Sequence, residues 1–430
     1  MDTEKRRRGL GRAAWALPLV FAVGVFVLLV ACFHSFEAPP PPPAEPQRLA
    51  SPEALAPFFA VLDNRASPQP LRIMQIGDSH TANDSLSGRM RQHFQGRFGA
   101  AGRGWLPAGV PFKYYRPQFV SVGESERGWK HVRPNDHAGI ALGLDAVAAE
   151  SEPRDAVMSL QSTESEGFDR FAVEYLTQPN GSAFTVAVDG GAPARVSTAS
   201  AVTAVTRFDL PLDRPAHQIE LRAEGKPPVA LLGWDIERQT PGVVYENHGT
   251  IGATVGLLEQ MTPEAVSFEF DQRRPALIIV AFGTNEGFDD GLDLDRYAAR
   301  FRDDVAALRQ KAHGVPVLVL GPPNGNRHDH ACTAASCGSS DPCAWNEPEK
   351  LAAVRDIERR AAAQNGWVYW DWFGAMGGTC SIDRMGQASP PLAMPDHVHL
   401  STPGYQAMAD LLFGDLMRAY ETWKAQPRTS

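Results

Sequence analysis

Four short segments of the chain carry the residue types that acyl transfer through a serine requires. They are Ile76–His80 (IGDSH), Asn247–Thr254 (NHGTIGAT), Gly283–Glu286 (GTNE) and Asp396–His399 (DHVH). The reaction needs a nucleophilic hydroxyl at an exposed turn, a histidine that takes its proton, a carboxylate that orients this histidine, and N–H donors for the oxyanion. The four segments contain all of these groups, so the sequence predicts serine-hydrolase chemistry.

Ser79 is the predicted nucleophile, because the apolar run Leu71–Ile76 ends in a sharp turn before a helix. A serine at such a turn lies at the carboxyl edge of a parallel sheet, where open α/β sheets bind their ligands. Asp396 and His399 are three residues apart, which lets the carboxylate hold the imidazole tautomer that accepts the serine proton. His397 is the competing base, but neighbouring side chains of an extended loop point to opposite sides, which favours His399.

Donors for the oxyanion are expected from three places. The backbone N–H of Ser79 can face the developing charge, and Asn285 offers a side-chain amide after a predicted strand. The glycine turn after Asn247 allows the backbone to approach a substrate closely. His80 and His248 flank two of these positions, and two interpretations stay open for them: they line the pocket, or they are satisfied by backbone groups.

The elements that position these residues alternate between strand and helix. Apolar runs predict strands at 71–76, 276–282, 315–320 and 367–370, and helices are predicted after residue 85 and at 294–312, 348–364 and 402–423. This alternation predicts an α/β fold with a parallel sheet and flanking helices, in a hydrolase domain of residues 51–110 and 241–425.

Residues 111–240 have a different pattern, with short runs of Val, Phe, Tyr and Thr separated by turn signals. They predict a β-sandwich inserted into the α/β domain. Three aromatic residues lie within its predicted strands, namely Trp129, Tyr175 and Trp234. Each can be interpreted as a core residue or as a platform on which a sugar ring stacks. Trp105, Tyr114 and Tyr115 lie at the junction of the two domains and are the better candidates for a groove.

The N-terminus predicts attachment to a membrane. A basic segment, residues 1–12, precedes an uncharged apolar run, residues 13–33, which is long enough to span a bilayer as a transmembrane anchor or to serve as a signal sequence. Leu29-Val30-Ala31-Cys32 leaves a third outcome open, lipidation of Cys32. A proline-rich linker, residues 34–50, follows. The positive-inside rule then places the catalytic domain in the periplasm or extracytoplasmic space, held at a bacterial inner membrane.

The net charge and the cysteine content indicate which kinds of ligand the protein can bind. The net charge of −9 argues against nucleic acid, whose binding depends on clustered cations. Four cysteines follow the apolar run, namely Cys332, Cys337, Cys343 and Cys380. We expect them to form two disulfides, for which three pairings are possible. The alternative is a zinc site with all four cysteines as ligands. The segment His328–His330 is interpreted as a solvated loop. We expect no cofactor and no metal, because the hydrolysis needs none.

The four segments, in this order, resemble the four conserved blocks of the SGNH (GDSL) hydrolase superfamily. The resemblance implies a flavodoxin-like parallel sheet, with Ser79 as nucleophile, His399 as base and Asp396 as its partner. It also implies that the Ser79 N–H, Gly252 and Asn285 form the oxyanion hole, with Gly252 favoured over Gly249 because it precedes the Ala-Thr of the motif.

The sequence differs at two positions from the pattern that gives the superfamily its name, and these differences indicate which members it resembles most. His80 stands where leucine is usual and Glu286 where aspartate is commoner. Together with the inserted β-domain, which resembles a carbohydrate-binding module, they are most similar to bacterial peptidoglycan O-acetylesterases. The resemblance therefore implies a serine esterase that removes O-acetyl groups from a cell-envelope polysaccharide through an acyl-enzyme. The alternatives are an O-acetyltransferase with the same residues, a lipid or small-molecule esterase, and an inactive polysaccharide-binding protein.

Overall fold

A six-stranded, mostly parallel sheet lies at the centre of a computed structural model that describes residues 47–64, 69–136, 139–152, 156–328, 343 and 345–427. Within these ranges the strands are, in order, β1 (Leu49–Ala50), β2 (Leu71–Gly77), β3 (Gly104–Pro107), β4 (Val120–Glu124), β5 (Trp129–Val132), β6 (Ala148–Ser151), β7 (Val157–Ser162), β8 (Phe168–Thr177), β9 (Ala183–Val188), β10 (Ala194–Ser197), β11 (Ala204–Ala216), β12 (Gln218–Glu224), β13 (Ala230–Glu237), β14 (Val243–Gly249), β15 (Leu277–Ala281), β16 (Val317–Leu320) and β17 (Val368–Trp370).

Helices of very different lengths connect these strands. They are α1 (Ala56–Asp63), α2 (Ser79–Ala82), α3 (Ser85–Phe98), α4 (Leu257–Gln260), α5 (Pro263–Arg273), α6 (Thr284–Gly287), α7 (Leu294–Lys311), α8 (Glu349–Asn365), α9 (Trp372–Met376), α10 (Ser381–Gly386) and α11 (Thr402–Ala425). Two 3₁₀ turns, Pro52–Leu55 and Pro134–Asp136, complete the described elements. No helix in these ranges is both long and apolar enough to cross a membrane.

The central sheet has the strand order β1-β17-β16-β15-β2-β14, and only β1 is antiparallel to its neighbour. One face packs against α1, α3, α9 and α11, and the other packs against α5, α7 and α8. Strands buried on both faces need continuous apolar sequence, which explains why LIIVA in β15 and VLVL in β16 are readable as strands from sequence alone. The predicted α/β fold is confirmed in this mixed, layered form.

The β-rich part consists of two antiparallel sheets that share one core. One has the order β10-β9-β12-β7-β4, and the other has the order β11-β8-β13-β6-β5 with β3 paired to β13. Phe184, Ile219, Val173 and Trp234 from the two sheets meet in a single buried cluster. Strand β3 precedes residue 111, so the β-rich part begins earlier in the chain than we predicted.

Two details of the prediction are wrong. Leu49–Ala50, which we assigned to the proline-rich linker, pair with β17 as an edge strand, and Arg48 bonds to Asp415 at 2.9 Å. Asn247–Gly249, which we interpreted as part of a glycine turn, are the end of strand β14. The predicted basic segment and membrane anchor, with Cys32, lie outside the described residues.

Candidate active site

The carboxyl edge of the central sheet brings the four sequence segments together. Ser79 follows β2 as the first residue of α2, and Asn285 lies in α6 directly after β15. The Gly252 loop follows β14, the neighbour of β2. Asp396 and His399 lie in the loop before α11, and His399 reaches across to Ser79. Parallel strands end at one edge, so residues far apart in sequence converge there.

Ser79, His399 and Asp396 form a continuous hydrogen-bonded array. The Oγ atom of Ser79 lies 2.8 Å from Nε2 of His399, and Nδ1 of His399 lies 2.8 Å from Oδ2 of Asp396. Both distances are those of good hydrogen bonds. In this arrangement the imidazole can take the serine proton through Nε2 while the carboxylate fixes Nδ1–H, which is the geometry that serine nucleophiles use.

Backbone donors hold the Asp396 carboxylate in place. Its Oδ1 atom accepts hydrogen bonds from the N–H groups of Val398 at 3.0 Å and His399 at 2.9 Å. Although partial burial raises the pKa of Asp396, these N–H groups and the imidazole of His399 together hold it below its ordinary value. Asp396 therefore stays ionised, with Oδ2 left for the imidazole.

His397, the competing base, points away from Ser79. Its Nδ1 atom pairs with Oδ1 of Asp383, and its ring stacks on Trp345 with centroids 3.9 Å apart. Its backbone has a φ of +56°, and its carbonyl oxygen accepts a hydrogen bond from the N–H of Asn326 at 2.8 Å. His397 thus ties the catalytic loop to α10, and this role of Asp383 was not predicted from the sequence.

The predicted oxyanion donors lie around the same edge. As the first residue of α2, Ser79 has a backbone N–H with no acceptor in its own helix. The Nδ2 atom of Asn285 donates to the carbonyl oxygen of Ala253 at 2.7 Å, which places this amide beside Gly252. Gly252 is exposed and has a φ of +74°, a conformation that favours glycine.

Gly249 serves packing instead. A Cβ atom at this position would lie 2.1 Å from the backbone nitrogen of Ala82 in α2. The strand end β14 can therefore approach the helix that carries Ser79 only if residue 249 is glycine. A Cβ atom at Gly252 would meet no atom within 4 Å, so that glycine is required by its backbone angle alone.

Glu286 connects its own segment, Gly283–Glu286, to the end of the Gly252 loop. Its carboxylate accepts hydrogen bonds from the N–H groups of Val255 at 2.6 Å and Gly283 at 3.0 Å. Burial raises its pKa above the ordinary value. The glutamate, one methylene longer than the commoner aspartate, thus holds the end of the Gly252 loop beside the segment that carries Asn285.

His80 lies behind the array rather than in it. It is buried, its Nδ1 atom shares a 2.8 Å hydrogen bond with the Tyr405 hydroxyl, and its ring centroid lies 5.2 Å from that of His399. Its Nε2 atom has no partner among the described residues. Burial and the neighbouring His399 lower the pKa of His80 to about 3, so the ring is neutral.

His248 belongs to a buried polar network below the Gly252 loop. Its Nδ1 atom lies 2.9 Å from Oδ1 of Asp145, and its Nε2 atom lies 3.3 Å from Oε2 of Glu246. Burial alone would lower its pKa, but the two carboxylates raise it to about 9. His248 is therefore a cation paired with acidic side chains. The sequence analysis offered two interpretations, a residue that lines the pocket and a residue satisfied by backbone groups, and neither describes this ion pairing.

Asn247 supports the serine helix from the other side. Its Nδ2 atom donates to the carbonyl oxygen of Thr81 and to Oγ of Ser87, both at 2.6 Å, and its Oδ1 atom accepts the N–H of Gly249 at 3.0 Å. These bonds connect β14, α2 and α3. The asparagine of the second segment thus holds the helix that carries Ser79 without contacting Ser79 itself.

Among the described residues, one group of acidic side chains is arranged closely enough to hold a metal ion, namely Asp235, Glu237 and Glu246. Arg72 already pairs with two of them, with its Nη1 atom 3.0 Å from Oε1 of Glu246. Arg273 lies 3.9 Å from the other oxygen of Glu246. These guanidinium groups supply the positive charge that an ion would bring, so the cluster is an ion-pair network.

The disulfide prediction is confirmed for one pair. Cys343 and Cys380 are bonded, with Cα atoms 5.0 Å apart, which excludes the zinc site built from all four cysteines. Cys332 and Cys337 lie outside the described residues, as do the last two residues of His328–His330. Of the candidate sugar platforms, Trp129, Tyr175 and Trp234 are buried in the β-sandwich core. Trp105 is buried as well, and Tyr114 is exposed.

Comparisons with known proteins agree with this geometry. The model of the GDSL-like lipase/acylhydrolase family matches residues 216–407. A solved structure of a peptidoglycan O-acetylesterase superposes with a TM-score of 0.69 at 24% identity, covering 85% of this chain and 96% of that one. At this identity the similarity shows a common fold.

Other solved structures match less closely. A family two carbohydrate esterase from Clostridium thermocellum has a TM-score of 0.29 at 12% identity, with 64% of this chain and 95% of that one covered. The corresponding enzyme from Cellvibrio japonicus has a TM-score of 0.28 at 13% identity, with 71% and 99% covered. No curated protein matches the chain in sequence. Residues 216–407 therefore match the GDSL-like lipase/acylhydrolase family, and this match, together with the array of Ser79, His399 and Asp396, supports an ester-hydrolysing enzyme.

Proposed function

We propose that the enzyme removes O-acetyl groups from a cell-envelope polysaccharide, with peptidoglycan as the first candidate, and that Ser79 carries the acyl group. The observation that carries the chemical part is the 2.8 Å contact between Ser79 Oγ and His399 Nε2, continued to Asp396. The polysaccharide part is supported by a shared fold, because the structure with a TM-score of 0.69 is that of a peptidoglycan O-acetylesterase.

In the proposed mechanism, His399 takes the proton of Ser79 as Oγ attacks the ester carbonyl carbon. The Ser79 N–H, the Gly252 N–H and the Asn285 amide stabilise the oxyanion. Collapse of the tetrahedral intermediate expels the sugar oxygen, which takes the proton from His399. Water, deprotonated by His399, then attacks the acetyl-serine. The second tetrahedral intermediate expels Ser79 Oγ, which takes the proton from His399, and acetate is released, while Asp396 stabilises the imidazolium in both halves.

The test is acetate release from O-acetylated peptidoglycan and from an aryl acetate by the fragment that begins at Gln47. Ser79→Ala should abolish both activities, and Ser165→Ala, which removes an exposed hydroxyl of the β-rich part, should leave both unchanged. Mass spectrometry of the quenched reaction should find acetyl on the Ser79 peptide. Turnover of the aryl acetate with no release from the polysaccharide would retain the esterase chemistry and overturn the proposed substrate.

Localisation is a separate proposal that rests on residues 1–33. We propose that this segment holds the enzyme at the outer face of a bacterial inner membrane, where such a substrate lies. A fusion of alkaline phosphatase to the C-terminus should be active in cells if the catalytic domain is exported. An inactive but full-length fusion would contradict this location.

A further inference from the structure

A cavity of about 270 Å³ lies between the Gly252 loop and the β-rich part of the molecule. Gly252 and Thr254 border it on the hydrolase side, and Phe112, Tyr115 and Arg133 border it on the other. Since Gly252 is also a proposed oxyanion donor, the cavity opens beside the position that the reacting ester occupies in the proposed function. It is large enough for one sugar ring, and the charges and rings of its walls determine which kind of sugar it selects.

The two acidic side chains in its wall are already neutralised. Both oxygens of Asp145 are engaged, one by Nδ1 of His248 at 2.9 Å and the other by Nε1 of Trp105 at 2.5 Å. Asp84 is held by Arg91 at 3.0 Å and Arg103 at 3.2 Å. Neither carboxylate therefore presents an uncompensated negative charge to the cavity.

Arg133 is the exception among the charged side chains of the wall. It follows β5 directly and is exposed, and among the described residues no carboxylate lies within ion-pair distance of its guanidinium. Its Nη2 atom donates to the carbonyl oxygen of Pro111 at 2.7 Å, which orients the group. A guanidinium has five N–H donors in a planar fork, so most of them remain free for a planar anion.

Aromatic rings complete the same wall. Phe112 and Tyr115 pack edge to face, with centroids 5.2 Å apart and planes at 70°. Phe112 is half-buried and Tyr115 nearly buried, so both rings are fixed in place. Apolar ring surface beside an oriented guanidinium is a combination that binds a sugar ring with a carboxylate substituent.

We propose that this cavity is a subsite for a carboxylate substituent that the glycan carries close to the reacting ester, with Arg133 as its specificity-determining residue. The proposal rests on the proposed function, because it assumes that the ester lies on a glycan. It adds the charge of this substituent and assigns its recognition to the β-rich part. Arg133 makes no contact with Ser79, His399 or Asp396, so its effect is on substrate binding.

The test compares two forms of one glycan. O-acetylated peptidoglycan strands freed of their stem peptides carry free lactyl carboxylates, and coupling to methylamine converts these into neutral amides. We expect the wild-type kcat/KM for acetate release to be about tenfold higher on the acid form, through KM. Arg133→Gln should abolish this preference by raising KM on the acid form alone, with the aryl acetate turned over as before. Arg127→Gln, an exposed arginine of the same segment outside the cavity, is the matched control.

Salt gives an independent measurement. The wild-type preference for the acid form should fall as NaCl is raised from low to high concentration, and Arg133→Gln should show no such change. Equal wild-type activity on the two forms, or equal losses on both in Arg133→Gln, would overturn the subsite and leave the esterase intact. Aryl acetate turnover with no release from either form would overturn the proposed glycan substrate, and the subsite with it.

Discussion

The Asn285 side-chain amide donates a hydrogen bond to the carbonyl oxygen of Ala253 at 2.7 Å, so the Gly283–Glu286 segment is fixed beside the Asn247–Thr254 segment. One N–H of the amide makes this bond, and the other is available to an oxyanion. We therefore expect Asn285→Ala to lower kcat by about 10²–10³-fold with a small change in KM, because the lost donor acts mainly in the transition state.

Asn365→Ala is the matched control for this prediction. The Asn365 side chain makes a similar 2.8 Å bond to a backbone carbonyl oxygen, that of Ala361 within α8, and is also half-buried. Its loss should leave kcat unchanged. Steady-state kinetics on an aryl acetate would measure both variants, and an Asn285→Ala enzyme with the wild-type kcat would remove Asn285 from the oxyanion hole.

Asp396→Asn tests the acidic member of the array. Asparagine can keep the Oδ1 acceptor for the N–H groups of Val398 and His399 but no longer stabilises an imidazolium. We expect kcat to fall by about 10³–10⁴-fold with little change in the free energy of unfolding.

His397→Gln provides the contrast, because it removes a histidine one residue from Asp396 that bonds to Asp383 instead. This variant should lose stability and keep kcat within about tenfold of the wild type. Denaturant titration and kinetics on the same samples separate the two effects. If His397→Gln abolished turnover in a folded protein while Asp396→Asn did not, the assignment of His399 as base would be wrong.

The elements predicted best from the sequence are the strands that are buried on both faces of the sheet. Strands β15 and β16 are uninterrupted apolar runs, and local pattern is sufficient to find them. Strand β14 was not predicted. One reason is that Glu246, Asn247 and His248 make its sequence resemble that of a polar loop. Their partners come from distant segments, so no local pattern shows that these side chains are satisfied.

In the candidate site too, contacts between residues close in sequence could be predicted, and contacts between distant segments could not. Asp396 and His399 are three residues apart, and their contact follows from that spacing. The pairing of Asp383 with His397 spans two elements, and only the folded chain shows it. Long-range support of the loop that carries His399 therefore has no signature in a single sequence, whereas the short-range contact between Asp396 and His399 has one.

The Cys343–Cys380 disulfide should stabilise helix α10, which carries Asp383. The cysteines are 37 residues apart, and Cys380 directly precedes α10. Closing a loop of that length lowers the entropy of the unfolded chain, so Cys343→Ala/Cys380→Ala should lower the free energy of unfolding by about 3–4 kcal/mol.

Urea titration of the double variant measures this loss. kcat should fall as well, but by no more than the roughly tenfold limit expected for His397→Gln, because α10 anchors the loop of Asp396 and His399 through His397. Wild-type protein treated with a reductant should reproduce both effects. A variant as stable and as active as the wild type would show that the loop is held by its hydrogen bonds alone.

His80 should make the stability of the enzyme depend on pH. Burial and His399 lower its pKa to about 3 in the folded protein, against an ordinary value near 6.5 in the unfolded chain. Between these values only the unfolded chain binds the proton, so the free energy of unfolding falls as the pH falls below about 6.5. At pH 5 the cost attributable to this one buried imidazole is about 2 kcal/mol.

The comparison that isolates this contribution is Tyr405→Phe against His80→Leu/Tyr405→Phe. Both variants lack the hydroxyl that bonds to Nδ1 of His80, and only the first keeps the imidazole. Urea titrations at pH 7 and pH 5 should show that the loss of stability on acidification is about 2 kcal/mol larger in Tyr405→Phe. All other titrating groups are common to the two proteins and cancel in this difference. Equal losses would mean that the imidazole takes up its proton in the folded protein as readily as in the unfolded chain.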